Sequence, residues 1–186
     1  MNALEFEQRY RSEGDPWGYR SSDYEREKYA ATLRACGPGP FAEALELGGS
    51  IGVFSALLAP RCRQLTTLDF SSTAVAEARR ELAPYPHAQA RLGEIPAAIP
   101  DGPFDLVVAS EILYYLEPDA LAGTLARLEG VCAAGARLVA VHWRPAGAER
   151  PFSAAAVHDA LLAEPWLRPL RERSTDAYLL HVLERR

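Results

Sequence analysis

Apolar and polar positions along the chain switch repeatedly between a helix-like and a strand-like period, with turn residues at the switches. Residues 3–11 predict a short helix, followed by a turn-rich stretch, SEGDPWGYRSS. A second helix is expected from Tyr24 to Ala35, because Ser22 and Glu25 have the S-x-x-E spacing of a capping box. Cys36-Gly-Pro-Gly-Pro40 breaks it, and strand then alternates with helix. Phe41–Leu47 predicts a first strand feeding a helix over Gly52–Ala59. Gln64–Asp69 predicts a second, with Ser71 or Ser72 capping a helix to Leu82, and Ala88–Leu92 a weaker third. Phe104–Ala109 (FDLVVA) is a fully apolar run, as expected of a central parallel strand buried on both faces. Pro118 suits the first turn of a helix reaching Val131. Ala136–His142 predicts a fifth strand and Ala154–Glu164 another helix. Trp166–Arg173 and Ala177–Leu183 are strand-like runs joined only by Ser174-Thr175-Asp176, a link that permits an antiparallel hairpin but no parallel crossover. The pattern is that of an α/β doubly wound, mostly parallel sheet finished by a C-terminal antiparallel hairpin.

A length of 186 residues fits one domain, 1–186, with a helical N-terminal segment over 1–38 and the sheet core over 39–186. The net charge of −5 lacks the positive surplus of a nucleic-acid binder. Arg168, Arg171, Arg173, Arg185 and Arg186 are interleaved with acids and apolar residues, as on a solvated face. Cys36, Cys62 and Cys132 stand far apart, without C-x-x-C spacing or paired histidines. Neither a disulfide framework nor a metal site is indicated, and a reducing, cytoplasmic setting is expected. The N-terminus lacks an apolar signal core, and no apolar run approaches the roughly 18 residues of a membrane span. No membrane insertion is expected.

The most informative stretch is Ala44-Leu-Glu-Leu-Gly-Gly-Ser-Ile-Gly-Val-Phe-Ser55, a glycine-rich turn between the first strand and its helix. Glycines there let a ligand approach the main chain closely, and ligands of open α/β sheets sit at the carboxyl ends of the strands. Alone, such a turn is equally a structural one. Asp69 adds a second feature, ending the second strand 21 residues after Gly48, where an acid accepts hydrogen bonds from ribose hydroxyls. Glu46, just before the glycines, would repel a pyrophosphate but suits a cationic amino-acid portion or its bound water. This favours S-adenosyl-L-methionine, which carries an ammonium and a sulfonium but no phosphate, over a nicotinamide dinucleotide.

The segment ELGGSIGVFS (46–55) resembles the first motif of class I S-adenosylmethionine-dependent methyltransferases, and the whole chain resembles their NodS-like (nodulation protein S-like) branch. Further shared marks are DPWGYRSSDYEREKY over 15–29, SEILYYL over 110–116 and HWRP over 142–145. That branch contains a nodulation N-methyltransferase acting on the free amine of a chito-oligosaccharide. It is also similar to methyltransferase segments fused to PIG-L-type deacetylases and glycosyltransferases. The resemblance implies a Rossmann-like sheet of seven strands with the last one antiparallel. It implies Glu46, Gly48 and Gly52 around the methionine portion and Asp69 on the ribose, with Gly49, Phe70 and Ser110 as further cofactor contacts. Glu94 and Ile95 follow the third strand, where family members contact the adenine; a solvated Glu94 is the alternative. Ser50 stands where the family has its middle glycine, and its side chain either crowds the cofactor or hydrogen-bonds it. The segment holding Trp17, Tyr19, Tyr24 and Tyr29 folds over the cleft as a lid in this reading. Trp17 and Tyr24 then face the cofactor, whose sulfonium aromatic faces favour by roughly 0.5–2 kcal/mol; packing on the sheet edge is the alternative. Arg20, Arg26 and Lys28 either meet an anion or face water, as such side chains usually do.

Methyl transfer from a sulfonium is an in-line displacement, so the protein must align the partners and exclude water. A protonated amine or neutral hydroxyl also needs a base. His142 is the leading candidate, at the end of the fifth strand on the same edge as the glycine-rich turn, with an unperturbed pKa of about 6.5. The alternative is a histidine that merely bonds a neighbouring loop. His158 is a second partner or a surface residue; His87 and His181 look structural. Glu111 is placed to bind a cationic acceptor amine or assist its deprotonation. Tyr114 and Tyr115 are placed to line the acceptor pocket, one of them as core packing. The expected acceptor is a small molecule, an amino sugar or glycolipid precursor before others. O-methylation and a non-catalytic S-adenosylmethionine-binding module stand as alternatives, and the sequence sets no oligomeric state.

Overall fold

Two helices precede the sheet, α1 (Ala3–Glu13) and α2 (Asp23–Cys36). Ser22 caps α2 by accepting from the Glu25 amide at 3.4 Å. The reciprocal half of the expected capping box is not made: the Ser22 amide donates to Gly18 O, and the Glu25 carboxylate turns to Lys28. The computed structural model of the chain describes residues 3–145 and 150–186; the first two residues of the 1–38 segment lie outside the described residues.

Five strands run parallel: β1 (Ala44–Leu47), β2 (Leu65–Asp69), β3 (Ala88–Leu92), β4 (Phe104–Ser110) and β5 (Cys132–Trp143). Between them lie α3 (Val53–Leu58), α4 (Ser72–Glu81) and α5 (Pro118–Val131). After β5 come α6 (Ala154–Ala163), β6 (Leu167–Ser174) and β7 (Tyr178–Arg185). The sheet order is β3-β2-β1-β4-β5-β7-β6, with β7 antiparallel to both its neighbours. The terminal hairpin therefore inserts its second strand next to β5 and leaves its first at the edge.

Several boundaries differ from expectation, each for a local reason. Phe41 makes only an isolated bridge to Cys62, because the Asp105 carboxylate takes the Ala42 and Glu43 amides at 2.7 and 3.1 Å. The helix expected from Gly52 begins at Val53, and Ala59–Arg61 tightens into a 3-10 turn. β5 begins at Cys132, ahead of the expected Ala136. Ser71, rather than Ser72, caps α4, accepting from the Ala74 amide at 3.0 Å.

The two faces of the sheet bury separate cores. Leu138 and Ala140 of β5 join Leu121, Leu125, Leu128, Val157 and Leu161 beneath α5 and α6. Val139 and Val141 point the opposite way, as strand alternation requires, into the core covered by α2, α3 and α4. A third cluster, Phe6, Tyr10, Ile51 and Ala74, fastens α1 above the ends of β1 and β2. No described helix is long and apolar enough to cross a membrane.

Candidate functional site

The switch point of the sheet lies between β1 and β4, where strand order reverses, and the glycine-rich turn sits at that opening. Gly48 has φ +72° and backs onto Ile112, whose Cβ would lie 2.9 Å from any side chain placed there. Gly52, with φ +84°, caps α3, and a Cβ placed on it would lie 2.8 Å from Ala78 Cα of α4. Its smallness therefore serves helix packing, and it lines none of the cavities described below.

Asp69 joins the two turns. Its Oδ2 accepts from the Ser50 amide and its Oδ1 from the Ser71 amide, both at 2.9 Å. Burial outweighs these donors and raises its pKa to about 6. Glu46 lies beneath the turn, accepts from Ser55, and is pushed up to about 7, chiefly by burial. Ser50 adopts φ +50°, and its hydroxyl meets that of Tyr10 at 2.6 Å. The serine that replaces the family glycine is thus tied to α1.

Two cavities flank this turn. One, of about 650 Å³, is lined by Asp69, Phe70, Gly93, Glu94 and Ile95. The other, of about 380 Å³, brings Trp17, Tyr24, Ser50, Ser110, Glu111 and Tyr114 together. They share Phe6, Gly48, Asp69, Phe70, Ile112 and Tyr115 as walls. A recess of about 30 Å³ lies against Glu46, Gly48, Gly49 and Ser50, room for about one water. Bared main chain, a carboxylate beside an apolar slot and an acid behind a water-sized recess fit the chemistry of S-adenosylmethionine; Asp69 would hold its ribose, Ile95 and Phe70 its base and Glu46 its ammonium.

The second cavity holds a charge cluster around Lys28, only 2% exposed. Its ammonium lies 3.0 Å from Glu25 Oε1 and 2.8 Å from Glu111 Oε1. Burial opposes its charge, but Glu111 and Glu25 outweigh burial and raise its pKa. Burial in turn raises the pKa of Glu25 despite that cation. Glu111 Oε2 accepts from Tyr114 OH and, at 2.9 Å, from the Trp143 amide. Lys28 also covers the ring of Tyr24 at 5.2 Å, so that aromatic face already holds a cation. Arg150, 4.3 Å from the centre of the Tyr114 ring, borders both cavities.

α1 roofs the site. Glu7 accepts from the hydroxyls of Ser71, Ser72 and Thr73 at 2.6, 3.0 and 2.7 Å. Partial burial works against its ionisation, but these bonds at the N-terminus of α4 prevail and hold its pKa at about 2. Phe6 meets Tyr115, Phe70 and Trp17 at ring distances of 5.0, 5.6 and 5.6 Å.

His142 does not belong to this constellation. It is fully buried; Nε2 accepts from the Leu113 amide at 3.2 Å, and Nδ1 lies 3.0 Å from His158 Nε2. Burial, with Lys28 and Arg150 nearby, pushes its pKa down to about 3. A ring with both nitrogens engaged and no cavity surface cannot take a proton from an acceptor, so the expectation of a histidine base is set aside. The strand parity that turns Leu138 and Ala140 toward α6 turns His142 there too.

Sequence reading passed over Glu7 and Arg150, gave Glu25 only a capping role, and left Lys28 between meeting an anion, as it does here, and facing water. A signal existed for two of them: Glu25 and Lys28 fall on the helical stripe shared by Tyr29, Thr32 and Cys36, all buried in α2. The run Ser71-Ser72-Thr73 opening α4 hinted at an incoming anion but not at which one. For Arg150 there was no signal.

A family model described as Nodulation protein S (NodS) matches residues 4–146. The chain is 35% identical over 104 residues to nodulation protein S of Sinorhizobium fredii (strain NBRC 101917 / NGR234), covering 55% of this chain and 48% of that protein. It is 35% identical over 103 residues to nodulation protein S of Rhizobium tropici, covering 55% and 43%. These matches span about half the length of those relatives. The crystal structure of N-methyltransferase NodS from Bradyrhizobium japonicum WM9, in complex with S-adenosyl-L-homocysteine, matches with a TM-score of 0.89 and 26% identity. The match covers 100% of this chain and 99% of that one.

Proposed function

The chain belongs to the nodulation protein S (NodS) family, and from that footing we propose that it transfers a methyl group from S-adenosyl-L-methionine to an amine on a small molecule, an amino sugar or glycoconjugate before others. The observation that carries this reading is the pair of adjoining cavities: one beside Asp69, Phe70 and Ile95, the other aromatic and charged around Lys28, both walled by Gly48.

The bound cofactor supplies a methyl group on a positively charged sulfur, ready for in-line displacement. Asp69 and Glu46 fix its two ends. Phe6, Trp17 and Tyr115 close the cleft against water, so that charges inside act through a weaker dielectric. Trp17 lines the second cavity with an aromatic surface for a sugar ring, while Glu25 and Glu111 attract its ammonium. The amine must be neutral to attack. Glu25, whose pKa is raised by burial, accepts the proton, and Glu111, pinned by Lys28, Tyr114 and Trp143, orients the nitrogen. The nitrogen lone pair then forms the N–C bond as the C–S pair returns to sulfur. A single domain with residues 1–38 as lid, working in the cytoplasm, belongs to the same reading; Cys36, Cys62 and Cys132 are all unpaired.

The test is calorimetric binding of S-adenosylmethionine and S-adenosylhomocysteine, then mass-spectrometric assay on glucosamine oligomers and their hydroxyl analogues. A mass gain of one methylene on the amine alone supports the proposal. Methylation of the hydroxyl analogue, or binding without turnover on any acceptor, overturns it.

A further inference from the structure

Three buried histidines that the reaction does not use run from the loop after β4 to the outer edge of the sheet. His142 on β5 bonds the Leu113 amide through Nε2 at 3.2 Å, and its Nδ1 lies 3.0 Å from His158 Nε2 on α6. His158 Nδ1 lies 2.7 Å from His181 Nδ1 on β7, and His181 Nε2 faces Glu172 Oε2 of β6 at 3.6 Å. All three residues are at most 5% exposed.

A backbone N–H can only donate, so Nε2 of His142 presents a lone pair. The His142 proton is therefore on Nδ1, and His158 Nε2 accepts it. The His158 proton is then on Nδ1, aimed at His181 Nδ1, which leaves the His181 proton on Nε2, toward Glu172. One amide sets the tautomer of every ring, and all three are neutral.

We infer that this directional chain of neutral histidines positions the acceptor side of the site, making His142 a positioning residue for Glu111 and Tyr114. The inference rests on the methyltransferase reading above. Glu111 sits at φ +58°, a left-handed conformation that is strained for a residue other than glycine and persists only when its surroundings over-determine it. Beside Lys28 and Tyr114 on its carboxylate, the surroundings come from the end of β5. Val141 O accepts from the Glu111 amide at 2.8 Å, the Trp143 amide donates to Glu111 Oε2, and His142 holds the Leu113 amide. The His142 ring also packs edge-on against Tyr114, 4.9 Å between centres. Because His158 and His181 fix Nδ1, the ring cannot turn away without breaking bonds at both nitrogens.

Long-range proton–nitrogen correlation on the full chain, labelled with ¹⁵N-histidine, tests the geometry whatever the protein's activity. Nδ1–H tautomers for His142 and His158 and an Nε2–H tautomer for His181 are expected; an Nε2–H on His142, or a charged His142 at pH 6.5, overturns the inference. Two variants test the consequence. His142→Gln sets an amide oxygen where Nε2 was, whereas His142→Asn keeps a group only on the His158 side. Slow exchange of the Leu113 amide should survive in the glutamine variant and be lost in the asparagine one. With a working acceptor, kcat should fall at least tenfold further in His142→Asn than in His142→Gln, with S-adenosylhomocysteine affinity unchanged in both. Equal losses in both variants, or a parallel loss of cofactor affinity, would leave only general packing and sink the positioning role. Failure to find an acceptor, with tautomers and exchange as expected, would count against the methyltransferase reading and leave the histidine chain intact.

Discussion

Replacing Asp69 with asparagine separates two consequences of one buried carboxylate. Its pKa rises from 3.8 to about 6, and at about 1.4 kcal/mol per unit its ionisation costs the fold on the order of 3 kcal/mol at pH 8. The sign follows from a folded pKa above the unfolded one: the cost is absent below about pH 3.8 and grows as pH rises through about 6. Asparagine removes this cost. That net cost already includes the bonds from the Ser50 and Ser71 amides; asparagine in addition sets an NH2 group against one of those amides, leaving a buried donor unsatisfied at about 1–3 kcal/mol. The two nearly cancel, so Tm at pH 8 should stay within about 4 °C of the parent. Cofactor binding has no such compensation. Losing one charge-assisted bond from the ribose diol should weaken S-adenosylhomocysteine on the order of 10- to 100-fold. Calorimetry from pH 8 to 5 supplies the decisive comparison. The parent should lose affinity as pH falls through about 7 and 6, as Glu46 and then Asp69 take up protons; Asp69→Asn should keep only the Glu46 part. Parallel pH profiles for the two proteins, or full affinity in the variant, would refute the ribose assignment.

Other variants probe the lid and the charge cluster. Glu7→Ala should cost about 1–2 kcal/mol by removing the anion and its bonds at the N-terminus of α4, read as faster amide exchange throughout α1. In the parent, the Glu7 contribution should be fully present above about pH 4.5 and vanish only as pH falls through about 2. Trp17 fluorescence should therefore stay constant from pH 8 to 5, and a change there would contradict the docking described. Lys28→Met strands Glu25 and Glu111 without their cation and should cost about 3–5 kcal/mol in urea unfolding at pH 8. That loss should shrink toward pH 5, because burial makes Glu25 take up a proton early; a pH-independent loss would disprove the pairing. Ser50→Gly trades a hydrogen bond to Tyr10 for relief of a left-handed backbone, each worth about 1 kcal/mol. Stability should barely move while S-adenosylhomocysteine dissociates faster in stopped flow.

Much of this architecture was legible because its causes are local. Turn residues, caps and hydrophobic period act within a few positions, so the order of helices and strands and the approach of Asp69 to the glycine-rich turn followed from the chain itself. Local pattern fared worse where a distant side chain competes for backbone amides, as Asp105 does at Ala42 and Glu43. It was also silent on the insertion of β7 between β5 and β6, since a short link fixes antiparallel pairing but not which strand of the hairpin lies inside.

The amino-acid sequence alone determined the elements, the switch-point opening and the acid that ends β2, because period, turn chemistry and spacing are properties of neighbours along the chain. Only the folded structure decided the environment of each polar group. Strand parity says that His142 shares a face with Ala140, but not that α6 covers that face and brings His158 to meet it. A helical stripe says that Lys28 points inward with Tyr29, but not that Glu111, 83 positions away, waits there to balance its charge. Burial and partnership are sums over residues remote in sequence, and they turned the expected base into a buried strut and put Lys28, which the chain left between an anion and water, at the centre of a charged cavity.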